Sequence, residues 1–210
     1  LQPGSAATSL TAEEAQHIAL DRSDLSSFSA AVSGHPASVT TLADLLLATE
    51  DQRFSAGQRA AAVTTYNRAF SAELGLITLA AERTITFTSR SAHIPVTVLS
   101  SAPFTVKVVL TLSSDKFSFP DGATRTLTLS RQSTPVRVQA ISRTSGDRLP
   151  VVITLTTPDG ALTIATTGVT VHSTSISIVG IALTVLAGLV LLVWWVRTWR
   201  KGRRRRPRAH

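Results

Sequence analysis

Residues 176–196 read ISIVGIALTVLAGLVLLVWWV, 21 positions without a charged side chain. As a helix rising 1.5 Å per residue, a run of this length reaches about 30 Å, the thickness of a bilayer's hydrocarbon core. A helix in a soluble core is apolar on one stripe; this one is apolar on every face. Its polar members, Ser177 and Thr184, can return hydrogen bonds to the helix's own carbonyls. The run is predicted to be a single transmembrane helix. All three tryptophans, Trp194, Trp195 and Trp199, stand at one end of it, where amphipathic rings favour the membrane–water interface. Arg197, Arg200, Lys201, Arg203, Arg204, Arg205, Arg206 and Arg208 follow at once.

Those eight cations explain a formal net charge of +8. Without them, 13 basic residues face 13 acidic ones, so residues 1–196 are neutral overall. The basic tail over 197–210 reads as a stop-transfer signal and as an anchor for anionic lipid headgroups, each Lys or Arg contributing about 1 kcal/mol. Cations beside a span stay on the cytoplasmic side. The expected topology is therefore single-pass type I: tail cytoplasmic, everything before the span extracytoplasmic. Nucleic-acid binding by Arg203–Arg206 is not expected, because the short basic run has no folded aromatic platform beside it except the membrane belt. Within the span, Gly180, Thr184 and Gly188 recur every four residues. They form a small-residue ridge on one helix face, which permits close approach of a partner helix.

Ahead of the span, over 84–173, the hydrophobic period is two. TVKVVLTL (105–112) puts Val106, Val108, Leu110 and Leu112 on one face and Thr105, Lys107, Val109 and Thr111 on the other. ITF (85–87), VTVL (96–99), TLTL (126–129), VRVQA (136–140), VVITLT (151–156) and VTV (169–171) are built alike. β-Branched alternation of this kind marks half-buried strands. Turn chemistry separates them at Ser101-Ala-Pro103, Pro120-Asp-Gly122, Ser145-Gly-Asp147 and Pro158-Asp-Gly160. Seven or eight short strands predict an immunoglobulin- or fibronectin-like β-sandwich. Lacking a cysteine pair and a core tryptophan, it is not an antibody-type domain. The linker Ser173-Thr-Ser175 is short enough to hold the sandwich close to the bilayer.

Residues 1–80 differ: they are Ala-rich and read as helices. Thr11-Ala-Glu-Glu14 fits a capping box, with a helix to about Leu20 and another over 24–32. Val39–Thr49 offers Leu42, Leu45 and Leu46; Gly57–Leu74 carries Val63, Tyr66, Phe70 and Leu74 on one stripe, with Gly75 as the expected C-cap. This is little material for an independent core. The segment is expected to be a helical subdomain or the end of a larger upstream domain. The fold class is thus mainly β with an α-helical N-terminal segment, followed by one transmembrane helix. The chain contains no methionine, and Leu1–Leu20 lacks the apolar run of a signal peptide. A mature chain, or the C-terminal piece of a longer exported product, is expected.

Site chemistry is sparse. With no cysteine there is no disulfide, thiol nucleophile or thiolate metal site. His17, His35, His93, His172 and His210 show no zinc-type spacing. The adjacent carboxylates Glu13-Glu14 and Glu50-Asp51 cannot face each other on a helix and are expected to be solvated. No GxSxG, P-loop or GxGxxG motif is present. No catalytic, cofactor-binding or metal-binding residue is assigned.

The order of helical segment, Thr/Val-rich sandwich, VTVHSTSISIVGIALTV lead and WWVRTWRKGRRRR boundary resembles the C-terminal part of an uncharacterised family of single-pass envelope proteins of mycobacteria and related actinobacteria. That family is encoded beside the lipid II flippase. The resemblance implies a place in the cell envelope, a connection with peptidoglycan-precursor export and a lipid II flippase as membrane partner; it implies no reaction. The expected role is a non-catalytic, membrane-anchored extracytoplasmic domain. The alternative is the anchoring end of a glycan-acting cell-wall enzyme whose catalytic domain lies upstream.

Overall fold

The computed structural model describes residues 12–34, 36–51, 53–144, 146–173 and 178–203; within them, the side chains of 147, 173, 178–184 and 198–203 are outside the description. Three helices come first: α1 (Ala12–Ala31), α2 (Ala37–Thr49) and α3 (Ala56–Gly75). α1 is one continuous helix, not the two expected. Asp21-Arg22-Ser23-Asp24 is polar but contains no helix breaker, and the apolar positions Ile18, Leu25 and Phe28 stay buried on one side of it. The capping box at Thr11 falls outside the described residues. The one that is seen opens α3: the Ser55 hydroxyl accepts from Gln58 N at 3.4 Å, and Gln58 Oε1 accepts from Ser55 N at 2.9 Å. Gly75 is not the C-cap. α3 runs through it and ends at Leu76, whose φ of −69° is right-handed.

Nine strands follow among the described residues. They are β1 (Ile77–Ala81), β2 (Thr84–Phe87), β3 (Ser91–Ser100), β4 (Val106–Ser113), β5 (Phe117–Ser118), β6 (Thr124–Leu129), β7 (Ser133–Ser142), β8 (Gly146–Thr156) and β9 (Thr163–Ser173). They make two sheets, β1-β3-β7-β5 and β2-β9-β8-β4-β6. β2 runs parallel to β9, from Thr84 opposite Thr170 to Phe87 opposite Ser173; the other pairings are antiparallel. The expected alternation holds on β4, where Val106, Val108, Leu110 and Leu112 are buried. Ile94, Val96 and Val98 of β3, Val138 of β7, and Val151, Ile153 and Leu155 of β8 are buried with them.

The two Pro-Asp-Gly turns need their glycines: Gly122 has φ +90° and Gly160 φ +74°, conformations in which a Cβ is strained. Gly146, expected in a turn, instead opens β8 beside a register shift. The boundary at residue 80 also moves. β1 lies within the stretch expected to be helical and pairs with β3 from Ile77 opposite Ser100 to Ala81 opposite Val96.

Helices and sandwich share one apolar cluster running from Ile18 to Val171. Phe28 of α1 packs edge-on against Phe70 of α3, centroids 5.8 Å apart, and against Phe104 of the β3–β4 turn at 6.2 Å. Tyr66 stacks on Phe70 at 5.7 Å and donates its hydroxyl to the Asp21 carbonyl at 3.1 Å. Backbone bonds weld the seam: Ser33 N to Thr105 O at 2.8 Å, and Ser101 N to Leu76 O at 2.9 Å. The helices thus cap one end of the sandwich, where the β3–β4 and β8–β9 turns lie. The last described helix, α4 (Ile178–Arg203), follows β9, which ends at Ser173 at the opposite end.

Candidate functional site

The membrane anchor expected over 176–196 falls on α4 from Ile178 onward, while Ile176 and Ser177 lie outside the described residues. From Val185 to Arg197 the described side chains are exposed on every side of the helix: Leu186 by 61%, Leu191 by 65%, Trp194 by 64% and Val196 by 40%. α3 is different: Tyr66 is buried completely, while Gln58, Thr65 and Arg68 face outward. Among the described residues, the apolar cluster of the sandwich includes no side chain of α4. Among the described residues no helix is long and apolar enough to cross a membrane; the described side chains of α4 cover 185–197 only. Of the expected interface residues, Trp194, Trp195 and Arg197 have described side chains. The side chains of Trp199, Arg200, Lys201 and Arg203, and all of Arg204, Arg205, Arg206 and Arg208, lie outside the description. Of the small-residue ridge, Gly188 is described, and a Cβ added to it would meet nothing within 4 Å. Gly180 and Thr184 belong to α4, but their side chains are outside the described set.

The sequence assigns no function to the end of the sandwich from which α4 leaves. Four connections lie there, β2–β3, β4–β5, β5–β6 and β7–β8, and backbone bonds join three of them. Ser142 N donates to Arg90 O at 2.8 Å and Arg143 N donates to Lys116 O at 2.9 Å. Beneath them Phe87 and Phe117, both buried, meet edge-on at 5.6 Å and close the core between the sheets. The exposed side chains of Arg90, Arg143 and Arg148 and the half-exposed Lys116 ring this end. Asp115 lies 3.0 Å from the Lys116 ammonium, and the hydrogen bond from Lys116 holds its carboxyl below the usual carboxylate range.

Of the adjacent carboxylates expected to be solvated, Glu50 and Asp51 instead act as struts, and so does Asp159. Glu50 accepts from Arg22 and ties α2 to α1. Asp51 accepts from the Arg53 guanidinium and from its backbone N, both at 2.9 Å, which lowers its pKa. Asp159 accepts from Thr157 Oγ1 at 2.6 Å within its own turn, which chiefly lowers its pKa, and a further bond from Ser27 of α1 joins the β8–β9 turn to the helices. His17, His93 and His172 sit on α1, β3 and β9, in three different layers of the molecule; His35 and His210 lie outside the description. Among the described residues no three His, Cys, Asp or Glu side chains gather as a metal site would need. One open cleft of about 430 Å³ lies between the end of α3, β1 and β9, beside Ser71, Leu74, Thr78, Ile164 and Thr166; its lining carries no carboxylate, histidine or cation.

A profile described as "Family of unknown function (DUF6049)" matches residues 2–209. The chain belongs to this family. The DUF6049 match extends over the helices, the sandwich and α4 alike. No curated protein matches the chain. Among solved structures, a PapD-like domain of human CEP192 is 13% identical, covering 48% of this chain and 85% of its own, with a TM-score of 0.35. The C. elegans MSP family member WR4 is 6% identical over 47% of this chain and 97% of its own, TM-score 0.34. A FixG-related protein from Vibrio parahaemolyticus is 8% identical over 47% and 94%, TM-score 0.35. Likeness of this degree carries no functional information.

Proposed function

We propose that this DUF6049 chain is a non-catalytic, membrane-anchored extracytoplasmic module, with α4 crossing the bilayer and the arginine-rich tail in the cytoplasm. The observation that carries the reading is the exposure of α4. A water-soluble protein does not leave a wholly apolar helical surface in contact with solvent, and lipid is the solvent that such a surface fits. The charge-free run from 176 to 196 supplies the length, and Trp194, Trp195 and Arg197 supply the interface.

The sandwich then acts as a rigid spacer. β9 has 11 residues from the helical end to the end nearest α4, which at about 3.3 Å per residue sets the helices roughly 33 Å above the exit point. The module presents its three-helix cap to the extracytoplasmic space, and its span is free to pack against another membrane protein along Gly180, Thr184 and Gly188. A lipid II flippase is the partner that the family resemblance supports.

Protease treatment of intact protoplasts tests the topology: residues 12–173 should be cut and the tail protected. Protection of the ectodomain with cleavage of the tail overturns it. Replacing residues 178–196 by polyleucine tests the ridge. Crosslinks to the flippase should vanish while membrane insertion persists, and unchanged crosslinks refute the packing face.

A further inference from the structure

Residues 1–196 are neutral only as a sum. Residues 1–75, the segment that contains the helical cap, hold eight acidic and four basic residues, a net of −4. Residues 76–173, the sandwich, hold nine basic and five acidic residues, a net of +4. The fold separates these charges along its long axis, because the cap sits on the end of the sandwich away from α4. Within the sandwich the ends differ again. The helical-end turns, 101–105, 130–132 and 157–162, carry Arg131 and Asp159 and are neutral. The exit end, with loops 88–90, 114–116 and 119–123, the end of β7 and the start of β8 and β6, carries Arg90, Lys116, Arg125, Arg143 and Arg148 against Asp115, Asp121 and Asp147, a net of +2.

We infer that this exit end is an electrostatic foot that rests on the anionic phospholipid headgroups of the leaflet into which α4 descends. The inference builds on the membrane reading above. Charge complementarity points to the occupant: a net positive rim faces the layer that α4 enters, and the acidic cap faces away from it. Proximity enforces the encounter, because only residues 174–177 separate β9 from α4. The platform is firm, since backbone bonds join three of the four connections and Phe87 and Phe117 brace them from below. An anionic surface attracts cations only within a Debye length, about 8 Å at physiological salt; a loop tethered this closely stays within that range. The foot fixes the tilt of the sandwich and so the direction in which the cap points.

The absence of cysteine allows single-site labelling, and Thr88, exposed in the β2–β3 loop, lies beside the rim and carries no charge of its own. The full chain, carrying Thr88→Cys with an environment-sensitive fluorophore, is reconstituted into bilayers of phosphatidylcholine alone or of equal parts phosphatidylcholine and phosphatidylglycerol. Quenching by neutral acrylamide should fall roughly twofold in the anionic bilayer and recover in about 1 M salt, where the screening length shrinks to ~3 Å. The same label at Gln132→Cys, at the helical end, should not respond. Combining Arg90→Gln, Lys116→Gln, Arg143→Gln and Arg148→Gln should abolish the lipid dependence, whereas Arg131→Gln should preserve it. An inserted chain whose Thr88→Cys label is quenched equally in both bilayers overturns the foot and leaves the anchor standing. A chain that fails to insert overturns both. The salt response of the wild-type surface decides the matter even if the fourfold variant does not fold.

Discussion

Replacing Phe28 by alanine should unfold helices and sandwich together. Phe28 is completely buried and is the one ring that touches both Phe70 of α3 and Phe104 of the β3–β4 turn. Truncating a buried phenylalanine costs about 3–5 kcal/mol through lost transfer and the cavity left behind. The two edge-on pairs place Phe28→Ala in the upper half of that range, near 4 kcal/mol. Against a total stability of roughly 5–15 kcal/mol, that is a large fraction. Amide hydrogen exchange on the full chain in detergent measures it by segment. Because the cap and sandwich share one cluster, protection should fall by about three orders of magnitude in α1 and α3 and equally in β3, β7 and β8, at 1.4 kcal/mol per decade. If β7 and β8 keep wild-type protection while α1–α3 lose theirs, the cap is a separate folding unit and the shared core is refuted.

Tyr66 is the only tyrosine, and burial, reinforced by Asp21 and Asp24, pushes its pKa above the ordinary phenol value. A folded-state pKa raised in this way contributes stability that is fully present below about pH 10 and is lost as pH rises beyond it. Absorbance at the phenolate band should therefore appear only with cooperative alkaline unfolding, well above pH 10; a simple titration near pH 10 in the folded chain refutes the burial. Gly160→Ala should destabilise by about 1 kcal/mol, because its φ of +74° strains any Cβ. Gly168→Ala, in β9 with open space around a Cβ, should instead be neutral or stabilising by a few tenths of a kcal/mol, since it removes backbone freedom from the unfolded chain. Denaturant midpoints compare the two, and equal shifts would contradict the conformational reasoning.

Where an element is specified by its own side chains, the sequence is readable. Seven of the nine strands carry alternation or a β-branched run that marks them. β1 escapes such a reading because only Ile77 of its five residues is deeply buried, and β5 because a two-residue strand exists only by pairing with β7. Polarity near Leu20 suggests a helix break, yet polarity on a solvent face does not end a helix. Ser55-Ala-Gly-Gln58 meets the capping-box pattern, so the start of α3 is legible from sequence.

The sequence alone determined where the long charge-free apolar run lies, which residues alternate as strands and where glycine turns must fall, because each follows from covalent neighbours and a local period. Tertiary structure alone decided that β2 runs parallel to β9, that the helices cap the end of the sandwich away from α4, and that a chain neutral over its first 196 residues is acidic at one pole and basic at the other. Those outcomes depend on pairings between residues tens of positions apart, and summing charge or hydrophobicity along the chain erases the direction in which folding arranges them.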